Sequence, residues 1–151
     1  MQFFKYFDLK EWKKSKLRRA KISDSKLFFI LRNQFYTRIY SENKKKIKYE
    51  EHKKWFLINY KKKDNFFFVI TFNNKDAGYL RVQKKQKFYN VSICIKKQFR
   101  RLNNAYKSLI NLSKIIKKKK ILRAIVNLKN TSSISLFIKS GFKVKEVRKN
   151  N

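Results

Sequence analysis

Residues 91–109, VSICIKKQFRRLNNAYKSL, combine the pattern of a strand, a polar loop and the start of a helix. Val91, Ile93 and Ile95 alternate with smaller or polar residues, at the period of a half-buried strand. Apolar residues then return at helical spacing from Ala105 onward. A helix that begins there directs backbone N–H groups and the positive end of its dipole toward the loop. The stretch therefore predicts a place where a phosphate group binds.

Length and composition indicate one folded domain. The chain has 151 residues, of which 42% are hydrophobic and 17% aromatic. That is enough apolar material for one core without disulfides or structural metal. We divide the chain into an N-terminal extension, 1–16, and a single domain, 17–151. Neither a repeat nor a linker-like segment marks a second domain.

The formal net charge of +33 permits two interpretations. One is a polyanionic partner such as nucleic acid, a ribosome or an anionic membrane. The other is the coding bias of an AT-rich genome, since Lys, Asn, Ile, Phe and Tyr are abundant while Pro is absent. The lysines are spread along the chain rather than gathered in one tail. Charge alone therefore does not assign a function.

Cysteine content and hydropathy exclude several classes of protein. Cys94 is the only cysteine and lies within an apolar strand pattern, so neither a disulfide framework nor a cysteine zinc site can form. We predict no metal. No apolar run approaches the roughly 18 residues of a membrane span, and the N-terminus lacks the charge order of a secretory signal. A cytoplasmic location without a membrane span is the expectation.

The other apolar patterns alternate between helical and strand periods along the chain. Strands are predicted at residues 17–20, 65–72, 77–83, 91–95, 121–128 and 142–147. Helices are predicted at about 24–33, at about 47–60, from about 104, and at 131–140. This order favours an α/β (α+β) fold with a largely antiparallel central sheet of about six strands and about four flanking helices.

Three strings carry a resemblance to a known family. Residues 100–105, RRLNNA, are similar to a phosphate loop with Arg or Gln, two residues, Gly, one residue, and Gly or Ala. Residues 130–142, NTSSISLFIKSGF, are similar to a helix-to-strand corner of the same family. With the order of elements over 17–147, they resemble the GNAT superfamily of N-acyltransferases. Residues 49–56, YEEHKKWF, resemble the branch that acetylates amino sugars on nucleotide carriers, including enzymes of pseudaminic acid biosynthesis.

The resemblance implies acetyl-CoA as co-substrate and a GNAT-like fold. It implies that the strand with Ile93 and Ile95 aligns the pantetheine arm, and that the backbone of 101–105 holds the pyrophosphate. In the family, residues that match Asn130 and Ser133 lie beside the cofactor. The predicted cofactor-binding residues are Ile93, Ile95, Arg100, Arg101, Leu102, Asn103, Asn104, Ala105, Asn130, Ser133 and Phe137.

The chain departs from the family pattern at three of these positions. Asn103 and Arg101 occupy positions where the family often has glycine, although Asn tolerates a positive φ better than other residues with side chains. Phe137 stands where the family often has a tyrosine proposed to protonate the leaving thiolate. The two glycines that the chain does have fall at recognisable places. Gly141 follows a helix, and Gly78 opens a strand where a side chain would obstruct a neighbour.

The predicted reaction is transfer of an acetyl group from acetyl-CoA to a primary amine of an amino-sugar nucleotide. The attacking amine must be neutral, and His52 and Glu50, with Glu51, are candidate bases. The same residues also suit a packing histidine and carboxylates that interact with a helix dipole. A ribosomal or other protein amine is the alternative acceptor. A degenerate, non-catalytic protein that binds nucleic acid or a partner through its basic surface is the alternative of another class.

Overall fold

Five strands form one sheet in the computed structural model, which describes residues 15–116 and 119–148. The strands are β1 (Ser15–Arg19), β2 (Phe66–Phe72), β3 (Lys75–Lys85), β4 (Phe88–Ile95) and β5 (Ile121–Arg123). The helices are α1 (Ser25–Asn33), α2 (Phe35–Arg38), α3 (Tyr49–Tyr60), α4 (Asn104–Ile115) and α5 (Thr131–Lys139). The strands lie in chain order across the sheet.

Neighbouring strands are antiparallel except for β4 and β5, which are parallel. A parallel pair needs a crossover connection, and α4 provides it. The predicted class, α/β with a largely antiparallel sheet flanked by helices, is therefore confirmed. No helix within the described ranges is long and apolar enough to cross a membrane.

Helices cover both faces of the sheet, and alternation along the strands divides the core between them. On one face, α1 and α3 pack through Phe28 and Phe56 against Phe67 and Tyr79. The opposite face is packed by α4 and α5, through side chains that include Leu109, Leu112 and Phe137, against strand residues such as Ile70 and Leu80. Tyr79 and Leu80 are consecutive, so one strand supplies both cores.

Gly78 lets β3 and β4 approach each other at the end of β4. It lies opposite Ile95, and a Cβ at this position would overlap the carbonyl oxygen of Cys94 and lie 3.0 Å from the Cα of Ile95. The absence of a side chain is thus required by the strand pairing. Gly141 follows α5 with φ 93°, as the sequence pattern predicts for a residue just after a helix.

The structure differs from the predicted elements mainly near the C-terminus. Residues 142–147 form no strand, and five strands are present in the described ranges rather than about six. Val144 and Val147 are exposed, whereas Phe142 packs edge-on against Phe137 with ring centroids 5.0 Å apart. The predicted strand at 121–128 ends at Arg123. Without a paired neighbour, an alternating pattern does not form a ladder.

The N-terminal boundary stays a prediction. The first strand begins at Ser15, within the predicted extension, while residues 1–14 of that extension lie outside the described residues. Arg18 of β1 forms ion pairs with Asp24, just before α1, at 2.7 Å and with Asp76 of β3 at 3.1 Å. These contacts connect β1, the turn before α1 and the start of β3. The hydrogen bond from Arg18 holds the pKa of Asp24 below its usual range.

Candidate active site

Strand β4 has an open edge over its second half. It pairs with β3 along its whole length but with β5 only at residues 88–90. Lys96 donates its N–H to the Ala77 carbonyl at 2.8 Å, so by ladder alternation the main-chain groups of Val91, Ile93 and Ile95 point away from β3. No described strand pairs with this edge at 91–95. An extended ligand that carries amide groups can form hydrogen bonds there.

The loop after β4 contains two residues in the left-handed conformation. Arg101 has φ 60° and Asn103 has φ 57° with ψ 15°. This conformation costs a residue with a side chain roughly 1–2 kcal/mol, with less expected for Asn. Asn103 therefore adopts a positive φ, as expected at a position where the family often has glycine. Arg101 adopts it as well, although its side chain is not suited to it.

Contacts within the loop hold its two ends. The Nε atom of Arg100 donates to the Ile95 carbonyl at 3.1 Å, and its guanidinium carbon lies 3.7 Å from the centroid of the Tyr36 ring. Asn104 donates to the Phe99 carbonyl at 2.9 Å. Its Oδ1 atom is buried without a hydrogen-bond partner. These contacts place the first turn of α4, with N–H groups outside the helical ladder, directly after the open edge.

Ala105 lies in the first turn of α4 and Leu102 is exposed in the loop. The first turn of a helix combines free N–H donors with a positive dipole end, which favours an anionic group. The side chain of Asn103, the N-cap residue of α4, makes no capping hydrogen bond to the helix. The loop and helix thus have the geometry predicted from the sequence, while the binding of pyrophosphate by these residues stays a prediction.

Residues 130–142, the second stretch that resembles the family, begin with a residue that caps α5. The Oδ1 atom of Asn130 accepts a hydrogen bond from the Ser133 N–H at 3.2 Å, which makes Asn130 the N-cap of α5. Phe137, one turn after Ser133, is buried in the core that α5 shares with α4. A cofactor contact for these three residues stays a prediction.

His52 lies in the aromatic core between α1 and α3. Only 4% of its surface is exposed, its Nε2 atom lies 3.1 Å from the Ser25 carbonyl, and its ring contacts Phe29, Trp55 and Phe56. Burial lowers the pKa of His52 below its usual range. These contacts are those of a packing residue that joins α3 to the start of α1.

Glu50 and Glu51 lie in the first turn of α3 and are exposed. Carboxylates in this position stabilise the helix dipole. The catalytic role of His52 and Glu50 stays a prediction, since the structure gives both residues a structural explanation.

A polar cluster that the sequence analysis did not single out lies on the same face as α1 and α3. We define it by Arg32, Gln34, Tyr36 and Arg81. Arg81 follows the buried residues Tyr79 and Leu80 in β3, stacks over the Trp55 ring at 4.9 Å and donates to Ser92 Oγ at 3.3 Å. The sequence feature that could have indicated this cluster is the arginine within the apolar run AGYLRV. A charged residue is rarely buried inside a strand without a partner.

Cys94 lies beside this cluster and is buried, as predicted for a core residue. Burial raises the pKa of its thiol above the usual range, which disfavours the reactive thiolate. Its Sγ atom lies 3.5 Å from Thr37 Oγ1 of α2. The contact ties α2 to the end of β4.

Within residues 15–116 and 119–148, no group of three or more His, Cys, Asp or Glu side chains is arranged to hold a metal ion. An open depression of about 450 Å³ lies at the opposite end of β4 from the loop. It is lined by Lys62, Lys63, Asp64, Asn65, Lys84 and Gln86. Lys84 and Asp64 form an ion pair there at 3.1 Å, so this basic surface is partly neutralised.

Solved acetyltransferases share this architecture. A ribosomal L7/L12 alpha-N-protein acetyltransferase, solved in complex with coenzyme A, matches 88% of this chain and 82% of its own with a TM-score of 0.75 and 16% identity. Spermidine N-acetyltransferase from Vibrio cholerae, in complex with CoA and spermine, matches 89% of this chain and 83% of its own with a TM-score of 0.75 and 14% identity.

An acetyltransferase of the GNAT family from Streptococcus pneumoniae matches 87% of this chain and 86% of its own, with a TM-score of 0.66 and 16% identity. No protein-family model and no curated protein matches the sequence. The similarity thus lies in the arrangement of strands and helices rather than in residue identity. This chain has the fold of the GNAT acetyltransferases.

Proposed function

We propose that the protein is an N-acetyltransferase that moves an acetyl group from acetyl-CoA to a primary amine. The observation that carries this proposal is the open edge of β4, followed by a loop with two left-handed residues and the N-terminus of α4. An extended arm with amide groups and a diphosphate is the kind of ligand that fits both features. Two of the solved structures with this fold contain coenzyme A.

The chain's own residues would bind and orient the co-substrate. Main-chain groups of Val91 and Ile93 would form a ladder with the pantetheine amides, and the backbone of 101–105 with the α4 dipole would hold the pyrophosphate. Acetyl-CoA supplies an activated thioester. Asn130, Ser133 and Phe137 are proposed to complete the binding surface, in which the Phe137 side chain can pack but cannot donate a proton.

The acceptor amine must lose a proton before it attacks. We retain His52 and Glu50 as proposed bases. Because the Nε2 atom of His52 faces the Ser25 carbonyl, it carries the hydrogen in the neutral tautomer, which leaves Nδ1 as the atom able to accept a proton. The lowered pKa keeps the imidazole neutral near pH 7. A water molecule would protonate the leaving thiolate in the absence of a tyrosine at position 137.

The proposed acceptor is an amino-sugar nucleotide, because YEEHKKWF resembles the helix of enzymes that act on such substrates. A ribosomal or other protein amine is the second possibility, and one solved neighbour is an acetyltransferase of ribosomal L7/L12. A cytoplasmic location is proposed for either reaction. The strong basic charge suits both a nucleotide-linked sugar and a ribosome.

A second candidate function is a non-catalytic protein that binds nucleic acid. The observations that favour it are Phe137 in place of a proton donor and the net charge of +33. Affinity for RNA should then fall steeply with salt and exceed the affinity for coenzyme A.

Calorimetric titration with acetyl-CoA tests the first proposal directly. We expect saturable binding that weakens in Arg101→Glu, which places a negative charge in the loop, and that persists in Arg19→Glu, which makes the same charge change on an exposed residue of β1. Binding that is absent, or equally weak in both variants, contradicts the proposal. Thiol release with amino-sugar nucleotides, and separately with ribosomal peptides, then distinguishes the acceptors.

A further inference from the structure

Buried polar atoms without partners gather on the face of the sheet that carries α1 and α3. In the described ranges, five buried side-chain polar atoms have no hydrogen-bond partner. Four of them belong to the polar cluster: Arg32 Nη1, Gln34 Oε1, the Tyr36 hydroxyl and Arg81 Nε. Buried polar groups are nearly always hydrogen-bonded to protein or water, so these four atoms are available to bind a ligand.

Packing explains why these residues meet. The ring of Phe28 stacks on that of Tyr79, with centroids 4.5 Å apart and planes 17° apart. Arg32 follows Phe28 by one helical turn on the same face of α1, and Arg81 follows Tyr79 by two residues on the same face of β3. The charge of Arg32 helps to lower the pKa of Arg81, after burial as the main cause. The two guanidinium groups are thus close enough to repel each other.

The cluster also reaches the end of β4, where the acetyl group would lie. Tyr79 pairs across the sheet with Cys94, and Arg81 pairs with Ser92. Thr37 of α2 contacts Cys94, and the Tyr36 ring lies under the guanidinium of Arg100 at the start of the loop. The cluster therefore borders the inner side of the segment whose outer edge is open.

The arginines of the cluster have no carboxylate partner in the described part of the chain. The ion pairs there join other residues: Arg18 with Asp24 and Asp76, Lys84 with Asp64, and Arg148 with Glu146. The Nη2 atom of Arg32 donates a hydrogen bond to the Asn43 carbonyl at 2.6 Å, and the Nη2 atom of Arg81 donates one to Ser92 Oγ. Each guanidinium keeps one buried nitrogen for another acceptor. Two like charges near each other without a counter-ion are unfavourable, and an anion between them removes that cost.

We propose that Arg32, Arg81 and the Tyr36 hydroxyl bind an oxyanion of the acceptor molecule, either a phosphoryl group or a carboxylate. Gln34 Oε1 then accepts a hydrogen bond from a hydroxyl or N–H of the same molecule. This inference rests on the proposed acetyl transfer and defines its acceptor class: an amine that carries an anionic group. Polyamines such as spermidine are poor acceptors, because they would bring further positive charge to two arginines.

The same pair of charges assists the reaction. A guanidinium near an ammonium group favours loss of the ammonium proton, since like charges disfavour the charged form. The anionic group of the acceptor would anchor the molecule while its amine, held near Ser92 and Cys94, becomes neutral. Deprotonation of the amine then depends less on a general base from the protein. None of Arg32, Gln34, Tyr36 and Arg81 would serve as that base.

Trp55 provides a direct readout, because its ring lies against Arg81. The chain has two tryptophans, so Trp12→Phe leaves Trp55 as the single fluorophore. The protein is first saturated with coenzyme A, which occupies the loop, and is then titrated with inorganic phosphate, acetate and spermidine in separate experiments. We expect a saturable change in Trp55 emission with phosphate or acetate and none with spermidine. The anion that binds with the lower Kd shows whether the site prefers a phosphoryl group or a carboxylate.

The variants separate the cluster from the loop. Arg81→Gln and Arg32→Gln should raise the Kd for the anion at least about tenfold, since each removes a charged donor. Arg19→Gln, with the same loss of charge elsewhere, should leave it unchanged. Tyr36→Phe removes only the hydroxyl and keeps the ring beneath Arg100, so it should preserve folding and weaken binding of the anion several-fold. Equal affinity in Tyr36→Phe, Arg32→Gln and wild type overturns the proposal.

Turnover assays use glucosamine 6-phosphate and glucosamine as a matched pair. The phosphorylated amine should have the higher kcat/KM, and Arg81→Gln should remove that preference while acetyl-CoA affinity is kept. Failure of acetyl-CoA to bind refutes the proposed function. Normal acetyl-CoA binding without an anion response in Trp55 emission refutes only the anion site.

Discussion

The two faces of the sheet are built from different residues. The α4 and α5 face is mainly aliphatic, with Ile70, Leu80, Val82 and Leu112 fully buried. The α1 and α3 face is aromatic: the Phe28 ring contacts those of Phe56, Phe67 and Tyr79, and Phe56 also contacts Phe67. Four of the five unpaired buried polar atoms in the described ranges lie beside the aromatic face. Under the proposed function, one face would support the loop that binds the cofactor, and the other would recognise the acceptor.

Aromatic rings suit recognition of an acceptor by buried arginines, because they combine apolar bulk with electrostatic attraction for cations. The Trp55 ring holds Arg81, and the Tyr36 ring holds Arg100. Aliphatic side chains offer no comparable means of placing a buried guanidinium. The aromatic face can therefore keep arginines in fixed positions without the carboxylates that would neutralise them.

The largest expected effect is the loss of a ring from the aromatic face. Phe28 is 1% exposed and contacts three other rings. Phe28→Ala should lower the free energy of unfolding by about 4 kcal/mol. Leu112→Ala on the aliphatic face should cost about 3 kcal/mol, because no aromatic pairs are lost. Urea denaturation of both variants measures the difference, and a larger loss in Leu112→Ala would contradict the comparison.

Gly78→Ala affects both faces through the backbone. The added Cβ would meet the carbonyl oxygen of Cys94, so β3 and β4 must separate near the end of the open edge. We expect a loss of about 3 kcal/mol in stability and weaker acetyl-CoA binding. Gly141→Ala is the control, since a Cβ there has open space and only the positive φ is unfavourable. Similar losses of acetyl-CoA affinity in the two variants would show that strand separation is not the cause.

The sequence predicted the parts of the fold that depend on local pattern. NFFFVITF has the composition of a buried strand, and β2 covers most of it. Asn103 fits a left-handed position because its side chain tolerates one, and its φ is 57°. Gly78, the fourth residue of β3, lies where β3 approaches β4 closely, as a glycine in a glycine-poor chain indicates.

Features that depend on distant residues were not predicted. Arg32 and Arg81 are 49 positions apart in the sequence, and only the packing of α1 on β3 brings them together. Residues 142–147 alternate like a strand, but a strand also needs an edge to pair with, and β5 ends at Arg123. His52 could be read as a base or as a packing residue from sequence alone. Its contact with Ser25 and three rings comes from tertiary structure.

The aromatic face also contains the only histidine of the chain, which gives a clean test of pH dependence. The folded pKa of His52 lies below the ordinary value of 6.5, so the unfolded chain binds this proton more readily than the folded one. Stability should therefore be complete above about pH 6.5 and fall as the pH drops toward the folded pKa. Denaturation at pH 7.5 and 5.5 measures the loss.

His52→Gln keeps a donor for the Ser25 carbonyl and should remove most of the difference between the two pH values. An unchanged difference would mean that other groups titrate in this range. The same variant tests catalysis, because removal of a general base should lower kcat by about a hundredfold or more. A packing role predicts a loss of stability of about 1–2 kcal/mol with kcat nearly unchanged.

The smallest expected effect concerns the loop that connects to the aliphatic face. Arg101 holds φ 60° without the freedom of glycine, so Arg101→Gly should raise the free energy of unfolding by about 1 kcal/mol. Asn103→Gly should gain less, because Asn already tolerates its φ of 57°. Thermal denaturation ranks the two variants. If glycine at either position also tightens acetyl-CoA binding, the side chain had crowded the pyrophosphate. If Arg101→Gly instead weakens binding, Arg101 contributes its charge to the ligand, and the loop resembles the opposite face in using arginine to hold an anion.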